Sequence, residues 1–240
     1  MRFLVLLGLA VLPLLASAFE PNSRSPHDAA SEPLKPFVAS YDVKRGGKVI
    51  GEATMTLSDN GDRQWTLVTE TRGTAGMARL LGLDVREASE FVVDGQSALQ
   101  STNYRYKQDA TLKSKQRRIE FDWQANEARV TDKDELFRYA LQAGSIDRQV
   151  VAVALGRSQR LENNTFPVAA KEGIENQRFE RRETRSLNLP AGRYDATRFE
   201  RTDKPNKGSS WYAPGLLAPL QIEQLQKDGN TIVMELKAIR

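Results

Sequence analysis

Three groups of residues have types and spacings that could do chemistry. The first joins two tyrosines to a basic strand. Tyr104 and Tyr106 stand two apart, and Lys113, Lys115 and Arg117 follow at the same period. In an extended chain such residues share a face. They would form a strip able to hold a phosphate-bearing headgroup or a glycan, or else lysines that guard an edge strand against pairing with other chains. The second group is a pair of carboxylates, Asp122 between Phe121 and Trp123, and Asp147 just after Ser145. Two carboxylates around one bond can divide acid and base work, as in glycosidases. Taken singly, Asp122 reads as a turn residue and Asp147 as a helix-start residue. The third group is Trp211-Tyr212, which leads into the apolar, proline-bounded segment 213–219. That segment and 73–83 fit no strand alternation. Both read either as the lining of a barrel mouth that receives an acyl chain or other apolar ligand, or as plugs of a filled barrel. The candidate ligand-binding residues are therefore Tyr104, Tyr106, Lys113, Lys115, Arg117, Trp211 and Tyr212.

Composition removes several other chemistries. The chain has no cysteine, so it has no disulfide, thiol nucleophile or thiolate metal site, and no cysteine to carry a lipid anchor. Its one histidine, His27, lies in a stretch with four prolines (Pro21, Pro26, Pro33 and Pro36) that reads as a flexible leader. No Ser-His-Asp arrangement or histidine metal cluster can form without it. Glycine-rich phosphate loops and calcium-loop ladders are also missing. No catalytic residue, metal or cofactor is assigned. The formal charge is +4. Outside the inner membrane that favours lipid headgroups, lipopolysaccharide or polyanionic glycans over nucleic acid as partners, and it also serves plain solubility.

Positioning such residues requires a scaffold, and the chain describes one. Met1-Arg2, the apolar run Phe3–Leu15 and Ala16-Ser17-Ala18 make a signal peptide over 1–18, too short to span a bilayer. A Pro/Ser-rich leader follows over 19–36, then one β-rich domain over 37–240. Alternating runs flank Gly46-Gly47 and predict a β-hairpin. Asn60-Gly61, Asp94-Gly95, Pro190-Ala191-Gly192 and Asp228-Gly229-Asn230 mark further turns. About a dozen short strands result, which argues for a single antiparallel, strongly curved sheet or open β-barrel. One short helix is predicted over 146–155, with Ser145 as cap and Gly156 as stop. Its Val150-Val151 pair leaves a strand open. Segment 73–83 reads as one or two helical turns or an apolar loop.

Tyr104-x-Tyr106 before a strand ending Phe121-Asp122-Trp123, Ser145-Ile146-Asp147, Gly192-Arg193-Tyr194-Asp195-Ala196, Trp211-Tyr212-Ala213-Pro214 and the closing hairpin from Pro219 follow one another in order. In that order the chain resembles the exported bacterial proteins grouped as domain of unknown function 3108, from about Phe37 to the end. Ala218-Pro219 departs from the Leu-Pro of that pattern. The resemblance implies a periplasmic β-rich fold and supplies no catalytic residue. The expected role is a non-enzymatic binding or carrier protein of the periplasm. The alternatives are a carboxylate-dependent hydrolase of envelope glycans and an interaction subunit of an envelope assembly.

Overall fold

The computed structural model describes residues 32–95, 98–111, 114–204, 208–226 and 228–240. The predicted signal peptide over 1–18, His27 and Lys113 lie outside them. The first half of the chain forms β1 (Phe37–Arg45), β2 (Lys48–Asp59), β3 (Gln64–Gly73), α1 (Gly76–Leu80), β4 (Asp84–Val93), β5 (Leu99–Asp109), β6 (Lys115–Asp122), β7 (Glu127–Asp132) and β8 (Glu135–Ala140). The second half forms α2 (Val150–Arg157), β9 (Asn163–Ala169), β10 (Ile174–Leu189), β11 (Gly192–Arg201), β12 (Ser209–Tyr212), β13 (Gln221–Leu225) and β14 (Thr231–Ile239).

Local rules account for most of this. Gly46 and Gly47 take φ of 55° and 76°, the left-handed values that a two-residue hairpin turn needs and a side chain resists. Phe37, Ala39, Tyr41 and Val43 of β1 are buried and alternate with partly exposed residues, so the strand has one core face. The fourteen strands form one sheet in the order β8-β7-β6-β5-β4-β3-β2-β1-β14-β13-β12-β11-β10-β9. Two meanders, β1–β8 and β9–β14, are thus stitched together by the antiparallel pair β1–β14. The sheet is open, and its free edges are β8 and β9. Pro167 sits in β9, where an edge strand tolerates a residue without an N–H.

The chain passes from one edge to the other through the interior, and that passage nearly closes the barrel. The Ile146 N–H donates to the Pro167 carbonyl at 2.9 Å, and the Ala169 N–H donates to the Ile146 carbonyl at 2.8 Å. The Ser101 N–H donates to the Ser145 carbonyl at 3.1 Å. The Tyr139 hydroxyl of β8 donates to the Ala170 carbonyl at 2.6 Å, and Lys171 pairs with Glu135. Burial pushes the Tyr139 phenol up to about 12, so it remains a donor.

Helix α2 differs from the sequence expectation at both ends. It begins at Val150 rather than 146, because 145–147 is drawn into bonds with β5 and β9. Gly156 lies inside the helix rather than after it. A Cβ there would stand 2.2 Å from the Leu217 carbonyl oxygen, so the missing side chain is what lets α2 meet the apolar loop. Segment 73–83 does form helix, the single turn α1.

The core lies inside the curled sheet. Val150, Val153 and Leu155 of α2 pack with Tyr41, Leu57, Leu67, Phe91, Phe199 and Leu236. Full burial of such a side chain is worth about 1.5–3 kcal/mol. Residues 213–220 fill the end of the barrel that also carries the turns at 60–63 and 190–191. There Leu217, Ala218 and Leu220 are buried. The Glu32 N–H bonds the Arg157 carbonyl and the Glu32 carboxylate pairs with Arg160, so the last residues before β1 are tied to the same end. We call this end lower. The upper end holds the 46–47 and 228–230 turns and α1.

Candidate functional site

Because α2 and the 213–220 loop occupy only the lower part of the barrel, a cavity of about 460 Å³ is left above them. Such a volume lies within the usual range for small-molecule sites, about 300–1,000 Å³. Its floor is Arg148 and Gln149 with Val151, Ala152 and Leu155 of α2. Its walls are inward residues of both meanders: Met55 (β2), Thr69 (β3), Glu87 (β4), Phe179 (β10), Ile222 (β13) and Met234 (β14). The lining reaches the upper rim at Arg201, Gly208 and Gln224.

The polar groups of this cavity fall into two kinds. The charged ones are partnered. Arg148 meets Glu87 at 2.8 Å, its Nε donates to the Tyr104 hydroxyl oxygen at 2.7 Å, and it stacks over the Tyr106 ring at 4.7 Å. The Tyr104 hydroxyl donates to Glu87 at 2.8 Å. Burial, and then the Glu87 charge, hold the Tyr104 phenol far above its usual value. Burial works against the Arg148 charge, but Glu87 and Tyr104 outweigh it and raise the arginine further. Arg201 at the rim pairs with Glu175 at 3.1 Å and Asp203 at 2.8 Å. Two neutral groups are not partnered. Gln149 donates its Nε2 to the Leu67 carbonyl at 2.6 Å, which turns its Oε1 away without an acceptor's usual donor. The Thr69 Oγ1 is likewise buried and unpaired. An orphaned buried polar atom in a native fold calls for an explanation, and both of these belong to residues that line the cavity.

The sequence candidates are distributed as follows. Tyr104 and Tyr106 come together around Arg148, and Tyr106 faces Arg117 across β5–β6. Arg117 is held by Asp132 at 2.6 Å. Lys115 is exposed, opposite Gln108. Lys115 and Arg117 share the face of the buried Ile119 and Phe121, so this strip continues the inner wall upward. None of these four side chains lines the cavity, although Glu87 and Arg148, which hold Tyr104, both do. Trp211 and Tyr212, read as one site, are separated by the sheet, since adjacent strand residues point to opposite faces. The Tyr212 hydroxyl faces inward and donates to the Ala152 carbonyl at 2.8 Å. Trp211 is covered by the Arg185 guanidinium at 4.3 Å and its Nε1 donates to Glu223 at 3.3 Å.

The two carboxylates are not brought together. Asp122 accepts the Ala125 N–H at 2.9 Å and pairs with Arg129 at 3.2 Å. Asp147 is fully buried. It accepts the Ser89 and Ser101 hydroxyls, each at 2.8 Å, and the N–H groups of Gln149 and Val150 at 2.9 and 3.2 Å. Its role is to cap α2 and anchor it to β4 and β5. The two share no partner, and neither lines the cavity, so an acid–base pair is not assembled.

Sequence reasoning missed Gln149, Thr69, Met55, Phe179, Ile222 and Met234. One signal was present for Thr69. The inward row of β3 runs Trp65, Leu67, Thr69, Thr71, and apolar side chains give way to polar ones where the filled core stops.

Among the described residues no helix is long and apolar enough to cross a membrane. No group of three or more metal-ligating side chains occurs among them. No curated protein matches the chain. Among solved structures, a β-barrel-like protein of domain of unknown function 1849 from Brucella abortus aligns over 88% of this chain and 99% of its own, at 9% identity and a TM-score of 0.47. A candidate lipoprotein from Parabacteroides distasonis aligns over 86% and 96% at 12% identity and a TM-score of 0.33. A candidate exported protein with a YmcC-like fold from Bacteroides fragilis aligns over 88% and 99% at 12% identity and a TM-score of 0.35. The family of proteins of unknown function DUF3108 matches residues 40–237, from within β1 to within β14, and this chain belongs to that family.

Proposed function

We propose that the protein is a non-enzymatic binding protein of the bacterial periplasm, whose cavity takes a small amphipathic molecule from the envelope. The observation that carries this reading is the pair of unpartnered neutral groups, Gln149 Oε1 and Thr69 Oγ1, at a cavity otherwise walled by Met55, Val151, Leu155, Phe179, Ile222 and Met234. The apolar walls favour a hydrocarbon body through the hydrophobic effect. The orphaned Gln149 amide oxygen favours a ligand that brings its own hydroxyl or N–H donor, and the Thr69 hydroxyl can donate to or accept from the same polar group. The cations of the cavity are already matched by carboxylates, so a neutral polar group suits the site better than an anion. Export in this reading depends on the signal peptide over 1–18.

Binding of N-phenyl-1-naphthylamine tests it, since this probe is uncharged, apolar, carries one N–H and brightens when buried. The wild-type protein should bind it, a monoacylglycerol should displace it, and the matching fatty-acid anion should displace it less well. Ala152→Trp, which fills the cavity from its floor, should abolish the signal with the unfolding transition retained. Absence of probe binding by the wild type, or full binding by Ala152→Trp, would refute the proposal.

A further inference from the structure

Exposed apolar side chains are unevenly spread over this molecule. Among the described residues, the large hydrophobic side chains left exposed are Val49, Met77, Leu80, Leu136 and Leu225. Val49, Met77, Leu80 and Leu225 belong to the upper end, and Leu136 lies on edge strand β8 just past the 133–134 turn. Val49 follows the 46–47 turn and Leu225 ends β13, opposite Thr231. Met77 and Leu80 are 64% and 74% exposed, and the five-residue helix α1 that carries them buries no residue at all.

The backbone around α1 is nevertheless held. The Thr74 N–H donates to the Ile50 carbonyl at 2.9 Å, the Gly73 N–H to the Leu83 carbonyl at 2.8 Å, and the Thr111 N–H to the Leu81 carbonyl at 2.9 Å. The fold therefore fixes two large apolar side chains in solvent, where they add nothing to the core. Clustered exposed apolar residues of this kind mark contact surfaces.

Charge indicates what the surface contacts. Several carboxylates at this end are occupied: Asp84 by Arg72, Asp228 by Arg45, Glu235 by Lys44 and Asp109 by Lys107. Lys48, Arg79, Lys115 and Lys133 have no ion-pair partner among the described residues, against the unpaired carboxylates Asp134 and Glu172 at the same end, which leaves cations in excess. Apolar tips with a surplus of long cationic side chains suit the boundary of an anionic bilayer. There the apolar groups enter the acyl region and the cations remain among headgroup phosphates. The apolar residues come from β2, α1 and β13 around an open rim rather than from one groove, which favours a planar fluid surface over a shape-complementary protein.

We infer that the upper rim, through Val49, Met77, Leu80 and Leu225 with Lys48 and Arg79, docks on an anionic lipid bilayer, placing the upper, cavity-bearing end of the barrel against it. Docking does not depend on what the cavity holds.

The test is co-sedimentation with vesicles of phosphatidylcholine alone and of phosphatidylcholine mixed with phosphatidylglycerol. The protein is recovered after export, and all variants share one N-terminus. Wild type should sediment with the mixed vesicles and much less with neutral ones. Met77→Asp with Leu80→Asp should lower partitioning at least about tenfold. Lys48→Glu with Arg79→Glu should lower it by about tenfold on mixed vesicles only. All these positions are exposed, so unfolding temperatures should stay unchanged. Ala152→Trp should sediment like wild type, which separates this surface from the cavity. Wild type remaining in the supernatant, or the aspartate pair sedimenting as wild type does, would overturn the inference. So would a self-association that the aspartate pair abolishes in the absence of vesicle binding.

Discussion

Asp147 shows how much of this fold rests on single polar groups. It is a carboxylate with no cation beside it, kept inside by two serine hydroxyls and two backbone N–H groups. Asp147→Ala strands those donors and should destabilise the protein by about 3 kcal/mol, at roughly 1–3 kcal/mol for each buried group left unsatisfied. A urea midpoint that falls at constant slope would show it. Asp147→Asn keeps the shape and one acceptor and should cost less. The two differ in pH dependence. Burial raises the Asp147 carboxyl, against the bonds from Ser101, Ser89, Gln149 and Val150. A folded value above the unfolded one means that the favourable contribution is complete below the unfolded value, about 3.9, and is lost as pH rises through the folded value. Wild type should therefore lose stability relative to Asp147→Asn as pH rises from about 3 towards 7. A relative gain over that range would show that the hydrogen bonds outweigh burial.

Among the elements, α2 decides how much of the barrel is filled. Its approach to the 213–220 loop is possible only because residue 156 lacks a side chain. Gly156→Ala drives a methyl into the Leu217 carbonyl, and neither partner is a flexible side-chain end. Overpacking of this sort costs about 1–3 kcal/mol or more, and Tm should fall by about 3–10 °C, readable by circular dichroism. An unchanged Tm would mean that the loop yields freely. The sequence made the strands legible, because hairpin turns and period-two burial are local rules: Gly46-Gly47 and the Phe37–Val43 row are visible without tertiary information. The start of α2 was not legible. Ser145, Ile146 and Asp147 have good helix-start chemistry, yet bonds to Ser101 and Pro167, distant in sequence, draw them out of the helix. Gly156 looked like a stop for the same reason, since its use depends on Leu217.

At the scale of the molecule, two meanders joined by β1–β14 curl until their edges meet at Tyr139, Ala170 and Lys171. One apolar segment, 213–220, became the plug of the lower end, and the other, 73–83, became the exposed turn of the upper rim. Both roles were open in the sequence, and only the topology separates them. The cavity was illegible because its lining is drawn from β2, β3, β4, β10, β11, β12, β13 and β14 together with α2, and no short motif can encode such a set. The central claim is that this interior is occupied in the cell by an amphipathic molecule. Native mass spectrometry of protein exported and purified without detergent addresses it most directly. The account predicts a bound mass on the wild type that collisional activation releases and that is missing from Ala152→Trp. A wild-type spectrum at the bare polypeptide mass, under conditions that keep the fold, would contradict it.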